Sequence, residues 1–431
     1  MNSDSRRLAP TVSVSYTCLI FSMETDYDIP LVTAARRHVF VRFWPMLVIA
    51  GLAINLRPIV TATGPLLDNI RQSTGLGLQA ASMLTVLPML CMGLFPLLLP
   101  WLGRRLRETT WITGGLLAIG LASVWRLWIG EGSTLLASTL LAGTGVAVVQ
   151  ALAPGVVKRW YPKRVPLAMG IYSASLMAGG GIAAMLSPVV AQHYDSWQAG
   201  LGVWAIPAIF ALLLWWSRPD KTVEVGGGGA VVNFFGNRRA WLLAGYFGLV
   251  NGGYASVITW LPSYARELGW SAQSSGELIG LMTIFQVLGA LAGPALSSKR
   301  LDRRPWLLLA VGLQIVGFSG LLLYPESMLI VWVALIGCGL GACFSLTLTV
   351  ALDHLNTPKM AGALTVFVQG VGFTITAVAP YIAGVLRETT GSFQASWMMI
   401  LVTLLLMLGA TFRFSPAGYA KAMSSKTAAV P

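Results

Sequence analysis

The residues best placed to do chemistry lie in one apolar run, Trp44 to Asp68, which reads WPMLVIAGLAINLRPIVTATGPLLD. Asn55, Arg57 and Pro58 fall near its middle. An arginine at the centre of a membrane-length helix costs about 2.5–3.5 kcal/mol on insertion scales. The adjoining proline removes one helical hydrogen bond and leaves a carbonyl free. What such an arginine does depends on its partners. All 16 acidic residues fall in the N-terminal segment, in loops or at helix ends, with Asp68, Glu277 and Asp353 nearest to mid-depth. A buried guanidinium without a carboxylate needs water, carbonyls or an anionic ligand. The balance favours an anion-binding pocket over a structural ion pair.

The neutral polar groups deep in other apolar runs are Gln150, Asn251, Tyr254, Gln286 and Gln369, with Tyr172 and Ser175 three apart on a further run. Taken singly, each reads as interhelical glue as readily as a ligand contact. As a set they supply neutral donors around a single cation. Asn251 and Tyr254 are three apart and share a helix face. Asn55 and Arg57 are two apart, about 200° around an ideal helix. They cannot face one pocket unless Pro58 distorts the turn, and Arg57 otherwise shares its face with Thr61 and Gly64.

The same inventory excludes other chemistries. The four cysteines (Cys18, Cys91, Cys338, Cys343) and three histidines (His38, His193, His354) are scattered. They offer no metal spacing, disulfide framework or nucleophile–base pair. No catalytic residue, metal site or cofactor is expected, and no nucleotide-binding loop points to ATP. The acids and histidines lack the mid-depth placement of a carboxylate proton relay.

These side chains must be held by membrane helices. The 431 residues are 55% hydrophobic and only 10% charged, where a soluble domain is about a quarter charged. Apolar runs long enough to span a bilayer are expected at 43–67, 79–101, 109–128, 133–157, 166–191 and 198–216. Six more follow at 240–261, 277–297, 305–323, 328–351, 361–383 and 395–412. The expected organisation is a cytoplasmic disordered segment 1–42, a six-helix bundle 43–216, and a cytoplasmic linker 217–239 with four consecutive glycines. A second bundle, 240–414, and a cytoplasmic tail, 415–431, complete it.

The net charge of +13 does not mark a nucleic-acid partner. Twenty-four of the 29 lysines and arginines fall in the segments that would share one side of the membrane, and four (Arg71, Arg126, Arg266, Arg387) fall on the other. This is positive-inside patterning, and it puts both termini in the cytoplasm.

The two halves repeat. Asn55 matches Asn251, Trp111 matches Trp306, Gly143-x-Gly145 matches Gly337-x-Gly339, and Pro188 matches Pro380, at offsets of 192–196 residues. Four pairs in near-constant register argue an internal duplication, the arrangement of alternating-access transporters with a midplane site. The glycines, and the triplet Gly179–Gly180–Gly181, read as close-packing elements. Two basic loops recur at matching positions, Arg104, Arg105 and Arg107 in one, Lys299, Arg300, Asp302 and Arg303 in the other. Each reads either as a gating latch or as ordinary inner-loop charge.

The 6 + 6 pattern, the paired basic loops and Gly-x-Gly-x-Ala at 143–147 resemble the major facilitator superfamily. The loop at 104–107 lacks the acidic residue that usually precedes its basic pair. The segments GLAINLRPIVTATGPLLDNIRQ, GIYSASLMAGGG, YFGLVNGGYASVITWLP and VALDH resemble, more narrowly, the bacterial cyanate and 2-nitroimidazole transporter family. That likeness spans about residues 44–415. It implies an all-α fold of two pseudo-symmetric six-helix bundles in the inner membrane, working as a monomer without a cofactor. The implied cargo is a small anion, cyanate, or else a nitroimidazole-like drug.

Overall fold

The computed structural model describes residues 44–76, 78–102, 107–218, 231–232, 234–270, 272–424 and 429–430. The expectations for 1–42, for most of the linker, and for Arg104 and Arg105 lie outside them. Among the described residues twelve long helices follow one another. They are α1 (Trp44–Thr61, interrupted), α2 (Leu78–Leu102), α3 (Glu108–Trp125), α4 (Gly132–Trp160), α5 (Val165–His193) and α6 (Trp197–Trp216). The second half holds α7 (Arg238–Glu267), α8 (Ala272–Ser297), α9 (Arg304–Leu323), α10 (Pro325–Asp353), α11 (Pro358–Thr390) and α12 (Gln394–Thr411). Among the described residues ten are long and apolar enough to cross a membrane, and Val86–Leu98 of α2 is a shorter apolar stretch. A two-residue antiparallel pairing joins β1 (Val231–Val232) to β2 (Ala429–Val430).

The duplication seen in the sequence is a duplication of packing. In the first half α3 packs on α4, α2 on α4, α3 on α6, and α5 on the Pro58–Thr61 part of α1. In the second, α9 packs on α10, α8 on α10, α9 on α12, and α11 on α7. Each is the matching pair. The glycines make the matching contacts too. A Cβ at Gly145 would overlap the Gly115 carbonyl oxygen of α3, and one at Gly339 would sit 2.5 Å from the Ala310 carbonyl oxygen of α9. A Cβ at Gly143 would lie 2.9 Å from Pro88 Cα, and one at Gly337 2.5 Å from Met282 O. Helix backbones approach this closely only where side chains are absent. The halves meet along α5–α8 and α2–α11, a pair of contacts that the pseudo-twofold exchanges, and α4–α11 and α5–α10 add to them.

Two helices depart from the expected continuous rods. The first does not run to residue 67. It breaks at 55–57, resumes at Pro58–Thr61, and gives way to turns over 62–66 before a separate helix, Leu67–Thr74. Pro65 has no N–H for the Thr61 carbonyl and disfavours helical geometry at Gly64. The sixth kinks at Val203–Trp204.

Arg126, at the end of α3, is buried. It is 2% exposed. Its Nε donates to Ser138 Oγ (3.3 Å) and its Nη2 to Thr139 Oγ1 (2.8 Å), and both hydroxyls pass a hydrogen bond on to Leu135 O. The guanidinium thus ties the end of α3 to the start of α4.

Residues 415–424 pack against the second bundle. A short helix, Tyr419–Ser424, places the Tyr419 ring on His354, with centroids 3.8 Å apart and planes 22° from parallel. His354 Nδ1 donates to Val350 O (2.7 Å), and its Nε2 accepts from Arg239 Nε (3.0 Å). That arrangement requires a neutral imidazole. Burial, with the charges of Arg239 and Lys158, holds its pKa down to about 4. The unfolded chain protonates His354 near the ordinary 6.5 and the folded chain only near 4. Stability is therefore full above 6.5 and falls as the pH drops from 6.5 towards 4, by up to about 1.4 kcal/mol per unit. Thermal melts of wild type and His354→Gln in detergent between about pH 7 and pH 4.5 check this, since the window follows from an ordinary histidine titration. The wild type should lose more stability on acidification. Parallel pH profiles would refute a neutral, partnered His354.

Candidate functional site at the break in the first helix

Proline writes the local geometry of the break. Pro58 brings no N–H to the Ile54 carbonyl. Upstream, Asn55 N and Leu56 N bond to Leu52 O and Ala53 O in tightened, i→i−3 fashion. Arg57 caps the short helix that follows (φ −110°, ψ −26°), and its carbonyl accepts from Val60 N, Thr61 N and Thr61 Oγ1. The Ile54 carbonyl lies against Gly179 of α5, where any Cβ would overlap it. A Cβ at the next residue, Gly180, would lie 3.0 Å from Arg57 Cβ and 3.4 Å from Thr61 Cγ2. Gly181 turns to the other half, meeting Thr283 of α8. The glycine triplet is the seat on which the broken helix rests.

The side chains sort into two kinds around this break. Asn55 faces away, its Nδ2 donating to Gly51 O (2.8 Å) and to Pro207 O of α6 (3.2 Å). Arg57 is 5% exposed, with its Cζ 5.0 Å from the centre of the Tyr254 ring on α7. This cation–π contact joins the two halves. Arg57 Nε has no hydrogen-bond partner in the protein, and neither do both amide atoms of Gln150, both amide atoms of Gln369, or the hydroxyls of Tyr172 and Ser173. Buried polar atoms are overwhelmingly partnered, so these orphans, like the indole nitrogens of Trp111 and Trp397, call for an explanation. Gln150 stands beside Ala151, which packs on Val366 of α11, one turn before Gln369.

The remaining candidates are placed differently. Asn251 is buried, and its Nδ2 is committed to Phe247 O (2.9 Å) on its own helix. Gln286 is buried on α8, three residues after Thr283, which meets α5. Among the described residues no group of His, Cys, Asp and Glu could hold a metal ion. The orphaned set holds one cation and neutral donors and acceptors, which suits a noncovalent anion site.

The charged loops bond within their own halves. Glu108 pairs with Arg159 (2.7 Å) and Asp302 with Arg304 (2.7 Å), the latter bond holding the Asp302 carboxyl below its usual range. Arg303 pairs with Asp353 (3.1 Å) and donates to Ser297 O. Lys299 and Arg300 are exposed, as is Arg107 at the start of α3. Lys158, in the last turn of α4, reaches across to the other half. Its Nζ donates to Leu352 O and to Leu355 O (2.5 Å), at the C-terminal end of α10. Beside it, Gly155 and Gly362 bring α4 and α11 into close contact. In the sequence Lys158 reads as a plain loop charge just past the expected end of the fourth helix at 157, and the structure extends that helix so that Lys158 falls in its last turn.

The model of the Major Facilitator Superfamily matches residues 43–377. The chain belongs to the major facilitator superfamily. Within the superfamily it is 40% identical over 376 residues to the cyanate transport protein CynX of Escherichia coli (strain K12), spanning 87% of this chain and 98% of that one. It is 27% identical to the 2-nitroimidazole transporter of the same organism, over 84% of this chain and 93% of the relative. Among solved structures, the proton:xylose symporter XylE aligns with a TM-score of 0.72 at 11% identity, covering 87% of this chain and 96% of that chain. The human organic anion transporter MFSD10 aligns with a TM-score of 0.66 at 14% identity, covering 86% and 99%. At those identities the structural likeness speaks for the major facilitator fold alone: an all-α membrane protein of two pseudo-symmetric six-helix bundles.

Proposed function

We propose that the chain is a secondary transporter of a small monovalent anion, cyanate, by alternating access across the bacterial inner membrane. The observation that carries this is Arg57, a buried cation at the break of α1 with an unpartnered Nε. A compact linear anion needs one positive charge and a few neutral donors. Gln150, Gln369 and Tyr254 supply them, with Asn251 and Gln286 on flanking helices. The 40% identity to a cyanate transport protein supports the same cargo. The positive-inside pattern supports an orientation with both termini in the cytoplasm. In that orientation Lys158 and the Gly155–Gly362 contact close the cytoplasmic end, and opening it requires Lys158 to leave the carbonyls of α10.

The test is uptake of labelled cyanate into cells making the protein, set beside tolerance to a 2-nitroimidazole in the same host. Cyanate uptake above the empty host, with unchanged nitroimidazole tolerance, is the expected result. Raised tolerance without cyanate uptake would replace this reading with drug export.

A further inference from the structure

Beyond the six side chains above, the structure assigns a direct ligand contact to Tyr172, whose hydroxyl shares the bound anion with Arg57 Nε. This rests on the anion reading of the Arg57 site and adds to it a residue on α5. Tyr172 is fully buried, and its hydroxyl has no partner. A buried tyrosine ordinarily finds one. It stands seven residues, about two turns and 10 Å, before Gly179, so both lie on one face of α5. Gly179 is where α5 meets the broken end of α1, and Gly180, next to it, touches Arg57 Cβ. Tyr172 thus lies on the face of α5 that seats the break of α1.

A structural tyrosine would spend its hydroxyl on a carbonyl, as Tyr264 does on Leu321 O (2.8 Å) and Tyr419 on Phe414 O (3.2 Å). Tyr172 spends it on nothing in the protein. An orphaned hydroxyl is a standing cost to the empty protein, and its removal leaves a well-filled apolar site. Its presence gains something only when an acceptor arrives. The phenol O–H and the guanidinium N–H would then converge on one electron-rich end of a small anion. The site would favour anions whose terminal atoms are good hydrogen-bond acceptors, such as cyanate or formate, over soft ones such as thiocyanate.

The experiment is thermal unfolding of purified wild type and Tyr172→Phe, with and without sodium cyanate, together with labelled uptake. Tyr172→Phe should melt at the same or a higher temperature without ligand. It should lose most of the cyanate-induced rise, and need roughly ten- to a hundredfold more cyanate for half-maximal uptake, the usual consequence of one missing bond to a charged partner. A variant that melts lower without ligand yet keeps the full cyanate response would overturn the inference, leaving the anion reading intact. A wild type that shows no cyanate response would overturn the anion reading and, with it, this role for Tyr172. Should Tyr172→Phe not be recovered folded, Tyr172→Met, whose flexible chain refills the space, carries the same expectations.

Discussion

Arg57→Gln should reduce cyanate uptake to the level of the empty host while leaving the protein folded and in the membrane. The guanidinium is the positive charge that the structure places at the break, and its Nε faces no protein partner. Removing one partner of a buried charge contact costs about 2–5 kcal/mol, or about 30- to several thousandfold in affinity. Without ligand, the same substitution removes a buried cation whose Nε has no partner, so the empty variant should be no less stable than wild type. That combination separates a binding role from a structural one. Arg57→Lys keeps the charge but loses the planar donors and the broad face that lies over Tyr254. It should fall between the two. Paired measurements of uptake and of melting temperature decide the matter, and undiminished transport in both variants would end the case for Arg57.

Gly179→Ala should be among the most damaging single-methyl changes in the chain. The added Cβ would overlap the Ile54 carbonyl, a backbone atom that no rotamer can move aside. The break of α1 would have to lift off α5, and Arg57 would move with it. Overpacking of this kind costs about 1–3 kcal/mol, and more where backbone is the obstacle. We expect a large fall in melting temperature, and loss of transport even in the fraction that folds. Gly312→Ala is the control, because nothing lies within 4 Å of its would-be Cβ. Replacing a helical glycine by alanine there should gain about 0.5–1 kcal/mol. Equal stability of Gly179→Ala and wild type would mean that α1 and α5 are not seated as described.

Both expectations depend on a division of labour between the chain and its packing. Hydropathy and charge are sums along the chain, and they were enough to place the spans, the repeat and the class of fold. Pairs such as Gly143 with Gly337 and Gly145 with Gly339 could be read in advance as close contacts. A glycine at the same register in both halves does the same job in both. Arg57 could also be read, because a cation in an apolar run, with every carboxylate elsewhere, is an imbalance of composition.

What composition could not supply was direction and partnership. Asn55 and Arg57 look alike in sequence, two polar residues in one apolar run. The helical wheel already sets them on different sides, and the seating of α1 on Gly179 with the reach to Pro207 O of α6 fixes where the amide goes. Arg126 and Lys158 were charges at helix ends like many others. Packing alone decided that one is buried on two hydroxyls and that the other bonds across the halves. Tyr172 is the plainest case. The sequence by itself determined that a tyrosine lies on an apolar helix; the tertiary structure decided that no carbonyl comes within reach of its hydroxyl. A helix satisfies its own backbone, so its sequence says little about which side chains will be left without a partner when the helices close around them.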